Sequence, residues 1–470
     1  MSAAIIAILL LLVLLAVPYL HSAVVPMDEG SLLVYPSLVA HGAVPQRDFE
    51  TMYGPGNIWV LALVFRFVGA SVIAERSVGL VYRAGIVLAI FLLGRSRGTL
   101  VALTGGILAA ALTLSIGLPA YAWLGAVALA LFSAYFAIQA RHVFLAGLLG
   151  GFALLYRPDL VLAIAAIALV LPTWRYVKGL LVGLSPYVVH VSLIGPITAF
   201  RRMFVSPVLQ SAPRRLPLPL GTSLFWAIVA PILCFVVIGL LQARNEGSRN
   251  LLALALFTAG LLPQALQRPD SFHLVAVGCV SVSLIPLYVG SFPAISAGPR
   301  GVLLGLLIAI GLVPLVGVGL RVSGGTFTQT GFPVTNQSRT VYVLTEGEQE
   351  ELSTLMAKVD QLSKPGDRLF VGPRDLTRTV DNDTFLYFLL PDLTPASYYL
   401  EMNPGSANRP GSGLAQDISS ADFVILTNRY KNWDEPNASR VPGSIEPELV
   451  IQQRFCSVIQ TSMWELLQRC

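Results

Sequence analysis

The sequence has few charged residues: 12% of its 470 residues are Asp, Glu, Lys or Arg, whereas 55% are hydrophobic. A soluble globular protein is typically about 25% charged, so this composition excludes an ordinary soluble enzyme. It also excludes a disordered chain, because disorder requires low hydrophobicity together with high net charge. Much of the chain must therefore lie in an apolar environment.

Cysteine and histidine are also scarce, with four and five residues in the whole chain. No CxxC pair or histidine-rich cluster occurs, so the sequence predicts no structural zinc site. Residues 322–470 contain no histidine, no Walker loop and no nucleotide-binding glycine motif, which argues against a separate hydrolase or nucleotide-dependent activity there. This segment holds Cys456 and Cys470, which we predict to form a disulfide if the segment lies outside the cytoplasm.

The charges divide the chain into two parts. Residues 1–321 have a net charge of +11, and residues 322–470 have a net charge of −6. We interpret residues 1–321 as a polytopic transmembrane domain and residues 341–470 as a soluble exterior domain. Residues 322–340, rich in Gly, Thr, Ser and Asn, are predicted to be a linker between them.

Alternating helix and strand patterns predict a small α/β fold for the exterior domain. Residues 348–362 carry apolar residues at helical spacing and residues 384–390 suggest a second helix, whereas 368–372 and 422–426 are short apolar runs typical of buried strands. This order favours a partly parallel sheet. A later loop has aromatic, carboxylate and amide side chains suited to sugar contact, although packing within the domain is the simpler explanation. These residues are Tyr398, Tyr399, Glu401, Asn403 and Asn408.

The apolar stretches of the first part predict about eleven transmembrane helices. A helix needs roughly 20 apolar residues to cross the hydrocarbon layer, and backbone groups in lipid must pair within their own segment. The stretch 56–73 is interrupted by Arg66, so we interpret it as a helix lying along the membrane surface. The predicted spans are residues 3–20, 78–94, 99–117, 119–139, 143–156, 160–173, 178–197, 222–242, 250–266, 272–289 and 301–320.

The positions of basic residues predict the orientation. With a cytoplasmic N-terminus, every predicted inner loop is basic, as the positive-inside rule requires for a plasma-membrane protein. An odd number of crossings then places residues 322–470 outside the cytoplasm. The inner-loop residues are Arg95, Arg97, Arg141, Arg175, Lys178, Arg244, Arg249 and Arg300.

The first outer loop is unusually acidic. Asp28, Glu29, Asp48 and Glu50 make up four of the eight acidic residues of the transmembrane domain. Ionisable residues near membrane depth are costly and usually serve a function. The alternative is that Asp28 and Glu29 simply lie in water at the level of the lipid headgroups.

Two outer junctions repeat the tripeptide Arg-Pro-Asp, at Arg157–Asp159 and at Arg268–Asp270. Capping of the following helix explains each Asp. It does not explain each Arg, whose planar fork suits a phosphate group. The outer loop 198–221 adds Arg201, Arg202, Arg214 and Arg215, so carboxylates and arginines are predicted to face an anionic headgroup together.

The first outer loop resembles that of the GT-C superfamily of polytopic glycosyltransferases. Asp28-Glu29 directly follow the first helix, and Asp48-Phe49 and Tyr53 with a Gly-Pro-Gly sequence come next. The in-plane apolar helix at 58–69 and the Arg-containing start of the next span follow in the order seen in that superfamily. The resemblance covers about residues 1–100 by motif and 100–321 by architecture. Within the superfamily, the chain is similar to the protein mannosyltransferase and lipid A aminoarabinose transferase-like group. Its Arg-Pro-Asp sequences are similar to those of actinobacterial members.

The resemblance implies a reaction and its partners. GT-C members typically take a sugar from a polyprenyl-phosphate carrier at the outer leaflet, and an acidic residue of the first outer loop acts on the acceptor. For this chain it implies an inverting glycosyltransferase with a hydroxyl acceptor in the cell envelope, embedded in the lipid bilayer. No nucleotide or nucleic-acid partner is expected, and a divalent metal is possible but not required.

The residues then receive expected roles. Asp28 is the expected general base, with Glu29 and Asp48 orienting the acceptor or tuning Asp28; Glu29 stays an alternative base. A second group is expected to bind the substrate and its phosphate. This group comprises Tyr53, Arg157, Asp159, Arg201, Arg202, Arg268 and Asp270.

Two other functions are compatible with the sequence. A transporter or flippase of a lipid-linked sugar would favour charged sites near the middle of the membrane, where His190 is the main polar exception. A non-enzymatic anchor that presents the exterior domain is the other, although eleven spans are many for an anchor.

Overall fold

The structure, a computed structural model, describes residues 2–209, 212–245, 249–291 and 330–470, together with residues 298, 299, 302 and 306. Up to residue 290 the described chain is almost entirely helical. Its helices are α1 (Ser2–Ala16), α2 (Asp28–Ala40), α3 (Pro55–Val68), α4 (Val72–Arg95), α5 (Thr99–Leu114), α6 (Ala122–Ile138), α7 (Val143–Tyr156), α8 (Val161–Val170), α9 (Trp174–Leu184), α10 (Pro186–Ile194), α11 (Pro196–Phe200), α12 (Ser223–Asn245), α13 (Asn250–Ala259), α14 (Leu262–Gln267) and α15 (Ser271–Gly290).

Six helices of the described part are long and apolar enough to cross a membrane, and five more are apolar but shorter. The chain is a multi-pass membrane protein. The predicted span 301–320 lies outside the described residues apart from Val302 and Leu306. The number of eleven crossings therefore stays a prediction. The six long spans are Ala3–His21, Val72–Arg95, Trp174–Ile194, Ser223–Arg244, Asn250–Gln267 and Ser271–Gly290.

Helix α2 lies within the first outer loop. The sequence predicted juxtamembrane helices in this loop, but it gave no bounds for a helix over residues 28–40. In the structure Glu29–Ser37 are all buried, so α2 is covered on every side and needs no apolar stripe. Asp28 and Glu29 in its first turn complement the positive end of the helix dipole.

Helix α4 begins earlier than expected. The predicted span starts at residue 78, whereas α4 starts at Val72 because the Ser71 hydroxyl caps it by accepting the Ala74 N–H at 3.1 Å. The additional residues at the start of α4 include Glu75 and Arg76, and Arg76 hydrogen-bonds to Glu29 of α2.

The exterior domain combines a hairpin with a five-stranded sheet. The elements are β1 (Phe332–Asn336), β2 (Arg339–Val343), α16 (Glu346–Leu362), β3 (Arg368–Pro373), α17 (Phe385–Leu389), β4 (Thr394–Pro395), α18 (Leu414–Ser419), β5 (Phe423–Thr427), α19 (Glu446–Arg454), β6 (Phe455–Gln460) and β7 (Trp464–Arg469). In the sheet, β3 is parallel to β4 and β5, and β7 is antiparallel to β5 and β6, in the order β4-β3-β5-β7-β6. The predicted α/β class with a partly parallel sheet is confirmed.

The hairpin β1–β2 begins within the segment predicted to be a linker. Ser22, at the end of the first span, forms an isolated bridge with Thr330, and Val24 N donates to Tyr342 O at 2.8 Å. The exterior domain is therefore attached to the first outer loop from residue 330 onward, and residues 332–340 are strand and turn rather than linker.

Helices α2 and α3 share one hydrophobic core with the exterior domain. Leu33 of α2 and Ile58 of α3 belong to the same buried cluster as Leu352 of α16 and Trp464 of β7. Burying apolar side chains across this boundary stabilises one arrangement of the two domains.

Backbone contacts fix the same boundary. Phe385 N donates to Pro26 O at 3.2 Å, and Glu50 N donates to Tyr398 O at 2.7 Å. A Cβ atom on Gly30 would lie 2.5 Å from Phe385 N, so only glycine permits this close approach. The first outer loop and the exterior domain therefore form one packed unit.

The predicted disulfide between Cys456 and Cys470 is present and joins β6 to the end of β7. The bridge closes a loop with a sequence separation of 14, which in the chain-entropy account stabilises the fold by about 3 kcal/mol. We expect the Cys456→Ser, Cys470→Ser double variant to unfold at lower temperature than wild type. Thermal unfolding with and without reductant measures this, and Cys234→Ser, which removes a free cysteine, is the control. A wild-type unfolding curve unaffected by reductant would contradict the expectation.

Candidate functional site

Asp28 is the first residue of α2, where the membrane domain meets the exterior domain. Its side chain is exposed, in contrast to the buried residues that follow it along the helix. The Ser31 hydroxyl donates to the Asp28 carbonyl oxygen at 2.8 Å and stabilises the first turn. The Asp28 carboxylate is therefore available to a ligand, while the backbone that bears it is fixed.

The next residue, Glu29, attaches the first turn of α2 to α4. Its carboxylate is completely buried and accepts two hydrogen bonds from Arg76, at 2.6 Å to Nε and 2.9 Å to Nη2. Arg76 also donates to the carbonyl oxygens of Tyr19 and Ser22, at 2.9 and 2.8 Å. Glu29 is therefore not placed to orient the acceptor or to act as the base, as the sequence had suggested. Its carboxylate is buried in the protein and bonded to Arg76.

Charged side chains from distant parts of the chain act on Asp28. Burial among the surrounding protein atoms raises the pKa of Asp28 above its ordinary value; the charges of His273 and Arg268 lower it, and those of Asp270 and Glu435 raise it. We call the region around Asp28 the cleft. The charged groups that act on Asp28 come from the start of α15 and from the exterior domain, so both lie near the start of α2.

Arg268 connects the two domains at this cleft. Its Nε donates to Asp270 at 3.0 Å, and its Nη2 forms an ion pair with Glu435 of the exterior domain. Asp270 in turn caps α15 by accepting the His273 N–H at 2.9 Å, as predicted. The hydrogen bonds seen in the described part of the chain use Nε and Nη2, which leaves Nη1 for an anionic ligand.

In the other Arg-Pro-Asp sequence the Arg also pairs with the Asp, but the predicted capping is wrong there, because Asp159 lies within the 3₁₀ turn Pro158–Leu160 and its side chain forms no cap hydrogen bond. Arg157 donates to Asp159 from Nε at 2.9 Å and from Nη2 at 2.7 Å, and to Gln264 at 2.6 Å. Its guanidinium lies over the rings of Tyr53 and Trp123, at 4.9 and 5.7 Å from their centroids. The charges of both Asp28 and Arg157 act on Tyr53, so Arg157 borders the same cleft through that ring.

The exterior domain contributes two further carboxyl groups. Burial raises the pKa of Glu401 to about 7, and the charge of Asp28 acts in the same direction. Burial and the charge of Asp28 likewise raise the pKa of Asp381 well above its ordinary value. Carboxyls with such perturbed pKa values in a cleft are typical of functional sites.

The remaining predicted residues lie at the edge of this site or outside it. Asp48 is on the surface, where its carboxylate pairs with Arg47 at 2.8 Å and accepts the Val44 N–H at 2.7 Å, so it is not positioned to orient an acceptor at Asp28. Arg202 lies over the Tyr398 ring at 4.8 Å, and the preceding residue, Arg201, is exposed.

Comparison with solved structures identifies the architecture. The chain aligns with ArnT from Cupriavidus metallidurans bound to undecaprenyl phosphate with a TM-score of 0.57 and 11% sequence identity, over 99% of this chain and 97% of ArnT. The TM-score with apo ArnT is 0.53, at the same identity and coverage. The chain has the GT-C fold.

Other comparisons give weaker or no matches. An oligosaccharyltransferase from Archaeoglobus fulgidus, crystallised with zinc and sulfate, aligns with a TM-score of 0.48 and 10% identity over 97% of this chain and 71% of that protein. No protein-family model matches the sequence, and no curated protein matches it. The likeness is therefore one of fold, and the GT-C resemblance noted from the first outer loop agrees with it.

Within this GT-C fold, the structure brings together some of the predicted residues and adds others. Asp28 and Arg268 meet in one cleft although they are far apart in the chain. Glu435 and Asp381 were not predicted, because nothing in the local sequence distinguishes them from other exterior carboxylates. His273 could have been found, since it lies three residues after the helix-capping Asp270 and on the same turn.

Proposed function

We propose that the protein is a membrane glycosyltransferase that transfers a sugar from a polyprenyl-phosphate carrier to a hydroxyl acceptor at the outer face of the membrane. The observation that carries this proposal is that the charge of Arg268 acts on the Asp28 carboxylate at the boundary between the two domains. The GT-C fold supports it, because ArnT, a lipid A aminoarabinose transferase, has this fold and was crystallised with undecaprenyl phosphate.

The proposed reaction follows from the charges of the cleft. The acceptor oxygen attacks the first carbon of the sugar, the bond from that carbon to the phosphate oxygen breaks, and its electron pair leaves with the phosphate. Asp28 accepts the acceptor proton, and Arg268 stabilises the phosphate as negative charge develops on it. Attack through one centre inverts the sugar configuration, and no step requires a metal.

The topology in this proposal follows the charge pattern of the sequence. The N-terminus lies in the cytoplasm, and the exterior domain lies outside the plasma membrane, where the disulfide between Cys456 and Cys470 persists. Two polar side chains of the described spans have bonds that explain them without transport. His190 hydrogen-bonds at 2.8 Å to Gln46 of the first outer loop and therefore belongs to the outer end of its helix. Arg83, buried in α4, donates to the carbonyl oxygens of Thr113 and Leu118 at 3.0 and 3.1 Å.

Replacement of Arg268 tests the phosphate site. We expect Arg268→Gln to weaken binding of undecaprenyl phosphate by about 10–100-fold, because a charged hydrogen bond contributes about 1.5–3 kcal/mol. Binding is measured with the full-length protein in nanodiscs. Arg454→Gln is the matched control, because Arg454 is exposed on α19 of the exterior domain. Equal affinity in wild type and Arg268→Gln would remove Arg268 from the proposed site.

Sugar transfer itself tests the proposed function. Wild-type protein in nanodiscs, supplied with polyprenyl-phosphate sugars and an extract of cell-envelope glycans and lipids, should transfer sugar to a hydroxyl group. Movement of labelled lipid between leaflets without sugar transfer would instead identify a flippase.

A further inference from the structure

Gln46 of the first outer loop is buried and has an unusual backbone conformation. The residue is only 2% exposed, and its φ of 63° lies in the left-handed region. Residues other than glycine, asparagine and aspartate rarely adopt this region, and they remain in it only where the surrounding contacts require it. The contacts of Gln46 therefore indicate what its conformation serves.

The side-chain amide of Gln46 joins the first outer loop to a membrane helix. Its Nε2 donates to the carbonyl oxygens of Thr51 at 3.3 Å and Tyr53 at 2.7 Å. Its Oε1 lies 2.8 Å from His190 Nε2 on α10, and because an amide oxygen only accepts, His190 is the donor. His190 is completely buried, and its Nδ1 has no hydrogen-bond partner within the described residues. The bond to Gln46 therefore accounts for a polar side chain at this buried position.

The backbone of Gln46 joins the same loop to the exterior domain. The Tyr398 hydroxyl donates to the Gln46 carbonyl oxygen at 2.9 Å, and the Glu50 N–H donates to the Tyr398 carbonyl oxygen at 2.7 Å. Within the loop, the Gln46 N–H donates to Phe49 O at 3.0 Å. Gln46 thus connects the loop, α10 and the exterior domain through hydrogen bonds.

These bonds fix the position of Tyr53. Gln46 binds the Tyr53 carbonyl oxygen, and the next residue, Gly54, donates its N–H to Tyr156 O at 3.1 Å. Arg157 follows Tyr156 in the chain, and its guanidinium lies 4.9 Å from the centroid of the Tyr53 ring. The hydrogen bonds of Arg157 to other described residues use Nε and Nη2, which leaves Nη1 for a phosphate. The Tyr53 ring therefore defines one side of the space that the guanidinium occupies.

Building on the proposed function, we propose that Gln46, bonded to His190, is a positioning residue for the phosphate of the lipid carrier. Gln46 fixes the Tyr53 ring against the Arg157 guanidinium, and Arg157 binds the phosphate. Gln46 acts through Arg157 and not through a contact of its own with the lipid. Loss of the Gln46 side chain should therefore weaken lipid binding only while Arg157 is present.

A double-mutant cycle tests this role, with binding of undecaprenyl phosphate to the full-length protein in nanodiscs as the measurement. We expect Arg157→Gln to weaken binding by about 10–100-fold, as loss of a charged hydrogen bond does. Gln46→Met keeps the length of the side chain without its hydrogen bonds and should weaken binding by about 10-fold. The double variant should bind like Arg157→Gln alone.

A second cycle is the control for a general loss of structure. In Gln46→Met combined with Arg268→Gln, the two effects should multiply, because Arg268 does not depend on Gln46. Effects that also multiply in the cycle with Arg157 would overturn the positioning role, and so would wild-type affinity in Gln46→Met. If Gln46→Met does not fold, His190→Leu takes its place in both cycles.

Hydrogen–deuterium exchange of peptides covering residues 44–54 tests the bond to His190 without lipid. His190→Leu removes the donor and should speed exchange of these peptides, whereas His190→Gln supplies a new N–H donor and should exchange more like wild type. Ser192→Ala is the control, because the exposed Ser192 hydroxyl bonds only to Val189 O of its own helix. Exchange at the wild-type rate in His190→Leu would overturn the role of His190. Since this measurement needs no ligand, a wild-type protein that binds no polyprenyl phosphate would count against the proposed function and leave the exchange result decisive for Gln46 and His190.

Discussion

Sugar transfer by the Asp28→Asn variant is expected to fall by about 10²–10⁴-fold, the contribution typical of a positioned general base. Binding of undecaprenyl phosphate should be unchanged or tighter, because the substitution removes a negative charge near Arg268. Asn keeps the size of Asp and suits the first turn of a helix, so α2 should remain folded. Transfer assays and lipid-binding measurements on the same nanodisc preparation separate the two effects.

The pH dependence of transfer provides a second measurement on Asp28. A general base acts in its ionised form, and burial raises the pKa of Asp28 above its ordinary value. Wild-type activity should therefore decline on acidification at a pH above that of an ordinary Asp, and Asp28→Asn should lack this decline in its residual activity. Asp375→Asn is the control, because that side chain is 54% exposed on the exterior domain. Transfer at the wild-type rate by Asp28→Asn would show that another group is the base.

The largest loss of stability is expected for Glu29→Gln. This substitution leaves the Arg76 guanidinium charged, buried and without its carboxylate partner, and breaking one side of a buried ion pair costs about 3–5 kcal/mol. We expect a strongly lowered unfolding temperature and reduced yield of inserted protein. Thermal unfolding monitored by size-exclusion chromatography measures both.

Two comparisons show whether the loss arises from the buried pair. Asp48→Asn removes one partner of a surface pair and should change the unfolding temperature little, since exposed ion pairs contribute little. The Glu29→Gln, Arg76→Met double variant removes both charges and should recover part of the lost stability. If Glu29→Gln unfolded like wild type but lost sugar transfer, Glu29 would act in catalysis, and its role as a purely structural partner of Arg76 would be contradicted.

The bounds of α2 could not be read from the sequence, for a physical reason that also applies to Glu29. Helical periodicity reveals a helix only when one face is apolar and the other contacts water. Because the exterior domain covers α2, polar and apolar residues are buried together and no periodic signal remains. In sequence alone Asp28 and Glu29 are equivalent neighbours. Their different environments arise because successive helical residues point about 100° apart, one toward the cleft and the other toward Arg76.

The sequence by itself determined the class of the protein. The scarcity of charge requires a membrane domain, the change of net charge separates an acidic exterior domain, and the pair Cys456–Cys470 identifies the disulfide. These properties depend on composition and on local pattern, so they can be read without knowing which segments meet. The acidic first outer loop also located the region of the candidate site.

Only the tertiary structure decided which side chains form that site. Arg268, Glu401 and Glu435 approach Asp28 because three distant segments pack at the boundary between the domains, and a charge acts on its neighbours in space and not in sequence. The same packing decides that Glu29 is buried and that Asp48 is left on the surface. Chemistry in the cleft thus depends on how the exterior domain docks on α2, which no local pattern encodes.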